Sequence, residues 1–216
     1  MAVVRVRQHV NPLSNKYQRT VEPPDWAGVF AQPERPLHLD IGCGKGHFLM
    51  AMATAVPEWN FLGLEIREPL VTTALQHRDA AGDRNLHFIF CNANTALRSL
   101  LAPWPGCPLR QVSIQFPDPW FKKRHQKRRV VQPELVTTLA DFLPEAGRVV
   151  LQSDVEAVAQ EMCDRFAESP AFCRTAEQWL PASPFPAQTE REIMTLEKAL
   201  PIYRAIFTRT TLHPSG

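Results

Sequence analysis

The sequence predicts an α/β fold: a mostly parallel sheet with helices on both faces. Two observations carry this. Between residues 37 and 210, short apolar runs bounded by Gly or Pro alternate with stretches of helical apolar spacing, the pattern of repeated strand–helix units. Each chemically distinctive stretch also falls at the C-terminal end of a predicted strand, where open sheets of this kind bind ligands. A chain of 216 residues is long enough for one such domain.

Residues 1–36 read as a basic N-terminal arm and linker. Arg5, Arg7, Lys16 and Arg19 come with no acidic residue before Glu22, and 22–36 hold four prolines. Leu37–Ile41 is a buried strand ending at glycines. His47–Val56 is a helix with Phe48, Leu49, Met52 and Val56 on one face. Strand Asn60–Ile66 and helix Pro69–Ala81 follow, with Pro69 in the first turn, where a missing N–H costs nothing. Strand Leu86–Cys91 leads to helix Asn94–Leu101, and strand Gln111–Phe116 to helix Pro133–Leu143. Strand Arg148–Gln152 precedes the clearest helix, Val155–Phe166, whose Val155, Val158, Ala159, Met162 and Phe166 share a face. Strands Ala171–Ala176 and Ile202–Thr210 close the domain, with a proline-rich loop at 181–186 between them. Residues 211–216 form a tail.

The composition excludes several classes. No apolar run approaches the ~20 residues that span a bilayer, and the N-terminus lacks the apolar core of a signal peptide. A cytoplasmic protein is expected. The five cysteines form no C-x-x-C pair, so neither a disulfide framework nor a metal site is indicated.

Positive charge is concentrated in FPDPWFKKRHQKRR, residues 116–129. Its last eight residues include six cations: Lys122, Lys123, Arg124, Lys127, Arg128 and Arg129. Take these six away and the net +2 of the chain becomes −4. The turn Pro117-Asp118-Pro119-Trp120 stands before them, where two prolines fix φ and remove backbone donors. A carboxylate is thus held beside an aromatic ring and a run that suits a polyanion. A charge run alone is more often a solvated face.

The first strand ends Asp40-Ile41-Gly42-Cys43-Gly44-Lys45-Gly46. The dinucleotide fingerprint G-x-G-x-x-G would need its third glycine at 47, which is His47. The G-x-G-x-G spacing instead resembles the loop of S-adenosylmethionine-dependent methyltransferases. Glu65, 23 residues after Gly42, stands where a carboxylate accepts from ribose hydroxyls. Asn92-Ala93-Asn94 offers amides where an adenine amine would sit; Asn92 also suits a helix N-cap, and Asn94 serves equally.

Asp40–Gly46, Gly63–Arg67, FPDPWFKKRHQKRR, Ser153-Asp154, Thr189–Glu192 and Pro201-Ile202-Tyr203-Arg204 occur in that order. The set, spanning about residues 37–207, closely resembles bacterial tRNA (guanine-N7-)-methyltransferases, the TrmB family. The resemblance implies a class I, Rossmann-like methyltransferase fold with a seven-stranded sheet. It implies methyl transfer from S-adenosylmethionine to N7 of a guanosine in the tRNA variable loop. It assigns the cofactor to Asp40, Gly42, Gly44, Gly46, Glu65, Asn92, Ala93 and Asp118, the last also as the catalytic residue. It assigns the tRNA side to Lys122, Asp154, Thr189, Glu190, Arg191 and Glu192. Lys123, Arg124, Lys127, Arg128 and Arg129 are the expected backbone contacts. No metal and no membrane are implied, and the protein is a monomer or homodimer. Three positions depart from the common family pattern: Asn92 stands where many members carry Asp, Arg191 where many carry an aromatic, and Phe121 where Pro or His is frequent.

Guanine N7 has a lone pair and no proton to lose, so its methylation needs no base there but leaves a cationic purine. A fixed carboxylate at Asp118 suits that developing charge. Asp154 either shares the task or caps the helix after it, and both roles are compatible. Trp120 stacks on the guanine or packs under the loop. Two rivals remain at this point. One is an exocyclic-amine methyltransferase, which would place Asn/Asp-Pro-Pro-aromatic here, whereas this chain has an acid between the prolines. The other is a degenerate protein that only holds RNA.

Overall fold

The computed structural model describes residues 10–104 and 107–211. Arg5 and Arg7 lie outside them. The strands are β1 (Leu37–Ile41), β2 (Asn60–Glu65), β3 (Leu86–Phe90), β4 (Leu109–Gln115), β5 (Arg148–Ser153), β6 (Phe172–Arg174) and β7 (Tyr203–Arg209). The helices are α1 (Trp26–Val29), α2 (His47–Ala55), α3 (Glu68–Ala81), α4 (Ala93–Leu101), α5 (Pro133–Phe142), α6 (Glu156–Ala167) and α7 (Glu190–Glu197). They form one seven-stranded sheet in the order β3-β2-β1-β4-β5-β7-β6. β1 to β5 run parallel, and β7 is antiparallel to both of its neighbours. This is the seven-stranded, mostly parallel α/β sheet expected.

Every residue of β1 and β2 is buried, as befits central parallel strands covered on both faces. One apolar core joins α1, α4, α5 and α6 to one face of the sheet. The other joins α2, α3 and Phe185 to the opposite face.

Two helices depart from the expected pattern. α1 falls inside the segment read as a linker. Its Trp26 stacks on Trp104 with ring centroids 4.1 Å apart, and Phe30 stacks on Trp104 at 5.4 Å. The segment is therefore pinned to the core just before β1. α7 falls on what was read as a turn. Thr189 caps it by accepting from the Glu192 N–H at 3.0 Å.

Strand register sets up a polar row. Asp40 lies opposite Ser113, Gln115 opposite Gln152, and Gln152 opposite Arg204. All are buried on one face of the sheet near the C-terminal ends of the parallel strands.

Candidate active site

β1 delivers the glycine loop. Gly42 and Gly44 adopt φ of +88° and +58°, and a Cβ at either would meet only open space. Gly46 differs. It caps α2 at φ +79°, and a Cβ there would stand 2.4 Å from the Phe88 ring. Gly46 lines neither cavity described below, so its glycine serves close packing rather than a ligand.

β2 delivers Glu65, 2% exposed. Its carboxylate accepts from the Gly44 N–H at 2.9 Å, the Arg67 N–H at 2.9 Å and Arg67 Nε at 2.9 Å. One acid thereby fixes the glycine loop against the end of the neighbouring strand. β3 delivers Asn92 and Ala93. Asn92 caps α4, its Oδ1 accepting from the Asn94 N–H at 3.1 Å, and its Nδ2 donates to the Pro12 carbonyl at 3.3 Å. Asn94 Nδ2 donates to the Val130 carbonyl at 2.9 Å. Both amides line the pocket, and the buried Asn94 Oδ1 has no hydrogen-bond partner among the described residues.

These groups enclose a cavity of about 130 Å³ walled by Ile41, Leu64, Ile66, Ala93 and Trp120, with Val10 and Pro12 at its edge. The arm is thus part of the wall. Tyr17 packs edge-on against Phe90, and Lys16 pairs with Glu68 at 3.2 Å.

β4 ends in the Pro117-Asp118-Pro119 turn. Phe116 and Trp120 flank it with φ of +47° and +42°, a left-handed region that bulky residues avoid. Each such residue costs of order 1–3 kcal/mol, held here by surrounding contacts. The Phe116 N–H donates to the Gln152 carbonyl at 2.7 Å. The Trp120 ring has Arg128 at 5.0 Å from its centroid and His125 edge-on at 5.7 Å. Trp120 therefore packs with the basic loop.

A second, wider cleft of about 460 Å³ opens beside the first, lined by Asp40, Asp118, Phe121, Asp154, Thr189 and Arg191 among others. Gly42, Arg67, Phe116, Pro117 and Asp118 line both spaces. Asp118 thus stands in their shared wall; against burial, the hydrogen bond and charge of Glu65, and after them the charge of Asp118, raise the pKa of Arg67.

Burial pushes the Asp40 carboxyl up to about 6, against hydrogen bonds from Ser113 and Gln115 that favour its charged form. The Ser113 hydroxyl donates to Asp40 Oδ1 at 2.5 Å, so it accepts from His38 Nε2 at 2.8 Å. His38 is thus the neutral Nε2–H tautomer, and burial lowers its pKa to about 3.

The acid side of the cleft differs from expectation in two respects. Asp154 does not cap α6: Ser153 Oγ accepts from the Val155 N–H at 3.1 Å, while Asp154 Oδ2 accepts from Arg191 Nε at 2.9 Å. Glu192 does not face the cleft. It is buried, pairing with Arg204 at 2.7 Å and accepting from Gln152 at 3.1 Å. Glu190 stays exposed in the cleft lining and bridges back to the start of α2 through His47 Nδ1 at 2.9 Å.

The basic run divides. Lys122, Lys123, Arg124 and Lys127 are exposed. Arg128 and Arg129 turn inward. Arg128 covers Trp120, while Arg129 donates to the Pro119 carbonyl at 2.8 Å and pairs with Glu161 of α6. Both arginines brace the turn.

Residue types alone did not single out Arg67, Gln115, Gln152 or Arg204. Gln115 and Gln152 follow from strand register once β4 and β5 are paired, and Arg204 follows from the antiparallel β7. Among the described residues no His, Cys, Asp or Glu cluster suits a metal ion, and no helix is long and apolar enough to cross a membrane.

The methyltransferase family model Methyltransf_4 matches residues 34–205. The chain is 60% identical over 209 residues to a tRNA (guanine-N(7)-)-methyltransferase of Synechococcus elongatus, covering 97% of this chain and 98% of the relative. It is 58% identical to the protein of that name from Thermosynechococcus vestitus, over 96% of each. Among solved structures it resembles a 16S rRNA (adenine(1408)-N(1))-methyltransferase from Catenulisporales acidiphilia, with a TM-score of 0.60, 14% identity, and 91% of this chain and 95% of that one covered. An rRNA methylase from Streptococcus thermophilus gives 0.52 at 13% identity, over 86% and 92%. These two likenesses show a shared methyltransferase fold. The identity to the curated relatives runs over almost the whole of both chains, and the chain belongs to the tRNA (guanine-N7-)-methyltransferase family.

Proposed function

We propose that this protein methylates N7 of a guanosine in the tRNA variable loop, with S-adenosylmethionine as methyl donor. The observation that carries the reading is the shared wall. A narrow cavity holding Glu65 and Asn92 and an acidic cleft holding Asp154 meet at Asp118.

The narrow cavity, where it opens to the cleft, fits the cofactor. Gly42, which lines both spaces, and Gly44, which lines the cleft, leave open space where any other residue would place a side chain. Glu65 offers a buried carboxylate for ribose hydroxyls, and Arg128 Nε, at the cavity wall, is buried with no hydrogen-bond partner among the described residues. Asp40, at the edge of the cleft, suits an ammonium group. Asn92 and Ala93 suit an adenine edge. When bound, S-adenosylmethionine supplies a methyl group on a cationic sulfonium.

The protein's own residues do the rest. Asp118, held by two prolines, presents a fixed carboxylate to the guanine as its ring gains charge. That interaction strengthens along the reaction and so lowers the barrier rather than merely tightening binding. Asp118 and Asp154 also accept from guanine N1–H and the exocyclic amine, which selects guanine over adenine. N7 needs no general base. Thr189, Glu190 and Arg191 border the base, while Glu192 positions that border from beneath. Lys122, Lys123, Arg124 and Lys127 meet phosphates. We read 37–210 as the methyltransferase domain of a cytoplasmic enzyme, monomeric or homodimeric, with the arm contributing to the cofactor wall.

Nucleoside mass spectrometry of tRNA incubated with the purified protein and S-adenosylmethionine tests this. N7-methylguanosine is expected. An N-methylated exocyclic amine, or no methylated nucleoside, would overturn it.

A further inference from the structure

We propose that Phe121 is the stacking platform for the target base, a contact to the face of the base supplied by the residue after Trp120. The inference rests on the methyltransferase reading above and adds to it the residue that receives the guanine's face.

Phe121 is 74% exposed, while the other exposed large apolar side chains among the described residues lie between 42% and 52%. It lines the acidic cleft together with Asp118, Asp154 and Arg191. The adjacent Trp120 is not in that lining. It faces the narrow cavity and is engaged by Arg128 and His125. The structure thus separates two neighbouring aromatics by task. The left-handed backbone at Trp120, φ +42°, turns the chain at this point and sends residue 121 to the cleft side. Among the described residues nothing covers most of the ring, which leaves its apolar surface free to be buried against a ligand in the cleft.

A nucleobase has two flat faces, and aromatic side chains are a common platform for a base drawn out of its stack. The acids of the cleft address the edge of a guanine, at N1–H and the exocyclic amine. They leave its face unattended, and Phe121 supplies a surface of the right kind on the same cleft. The chemistry adds a second effect. As the methyl group arrives, the purine becomes cationic, and the negative face of a phenyl ring attracts a cation. Stacking should therefore strengthen during transfer, so Phe121 affects the rate of the chemical step as well as docking.

The test compares Phe121→Tyr, Phe121→Leu and Phe121→Ala, all at an exposed position where folding is undisturbed. With both ligands saturating, single-turnover methyl transfer should fall several-fold, about three- to tenfold, in the Leu and Ala variants, the part of the stack gained only as the purine becomes cationic. The Tyr variant should retain the wild-type rate. Affinity for tRNA should change much less, because phosphate contacts dominate it. A second readout does not depend on catalysis. Phe121→Trp puts a fluorophore on the platform: its emission in excess of wild type should be quenched by tRNA carrying the variable-loop guanosine and not by tRNA abasic at that position, as a base stacks on the indole. If Phe121→Leu transfers methyl at the wild-type rate, or if the abasic tRNA quenches Phe121→Trp as fully as the intact one, the stacking role is overturned. The fluorescence arm decides this whichever nucleoside the wild-type enzyme produces.

Discussion

Glu192 and Arg204 are paired at 2.7 Å with side chains only 1% and 4% exposed. The pair lies at one end of a buried chain of hydrogen bonds. Gln152 donates to both Glu192 and Gln115, and Gln115 donates to Asp40. The first turn of α7 and Asp40 are thus joined through three strands of the sheet.

Removing one partner should be far worse than removing both. Arg204→Met leaves a buried carboxylate uncompensated and should cost about 3–5 kcal/mol in urea denaturation. Glu192→Leu combined with Arg204→Met should recover most of that stability. The double variant should still raise KM for tRNA, because α7 has lost its anchor. Equal stability of the single and double variants would contradict this.

Asp40 carries a pH signature. Its folded-state pKa, about 6, lies above the ordinary 3.8. A group shifted upward contributes stability in full below its unfolded pKa and loses it as pH rises through its folded one. Asp40→Asn should therefore stabilise the free protein at pH 7–8 by an amount on the order of 2–3 kcal/mol and leave it unchanged near pH 3.5. Cofactor affinity in the wild type should fall below about pH 6, where the acid is neutral and an ammonium partner gains nothing from it. Thermal denaturation and calorimetry across pH 4–8 measure both effects. Parallel stability profiles for the two proteins would refute the shift.

The divided basic loop predicts unequal consequences. With Lys122, Lys123, Arg124 and Lys127 on phosphates, log K for tRNA should fall with log[salt] at a slope of about −3. Changing all four to Gln should flatten the slope while leaving the melting temperature alone. Arg129→Gln should instead lower stability, by about 1.5–3 kcal/mol, through its contacts with Pro119 and Glu161. A salt slope carried by Arg129 would reverse the assignment.

Asp118→Asn keeps the shape of the turn and removes its charge. It should lower the single-turnover rate by about 10²-fold or more, with a much smaller change in tRNA affinity. Transfer at the wild-type rate would leave Asp118 as a shaper of the turn only.

Most of the strand–helix order was legible because its signals are local: apolar runs, caps and prolines. β1, α2, β2 and α3 lie within one residue of expectation at each end. α7 was not legible, for a physical reason. It buries Glu192 and Thr195 and exposes Ile193, Met194 and Leu196, so its burial pattern opposes its polarity. The T-x-x-E spacing is a helix-start signal that could have found it. The identities of the acids and glycines near the site could be read along the chain. Which way Arg128, Arg129 and Glu192 point could not, because that direction depends on Trp120, Glu161 and Arg204, all brought close only by folding.

The position of β7 bears on when the site can exist at all. It is last among the strands in sequence yet sits inside the sheet, between β5 and β6. During synthesis, β5 has an unpaired edge and Glu192 lacks its cation until residues 203–209 have left the ribosome. The α7 border of the wide cleft is therefore a late product of translation. Arrested nascent chains of increasing length should gain protease resistance around 189–197 only once β7 has emerged. Earlier protection would mean that α7 seats itself without the strand beneath it.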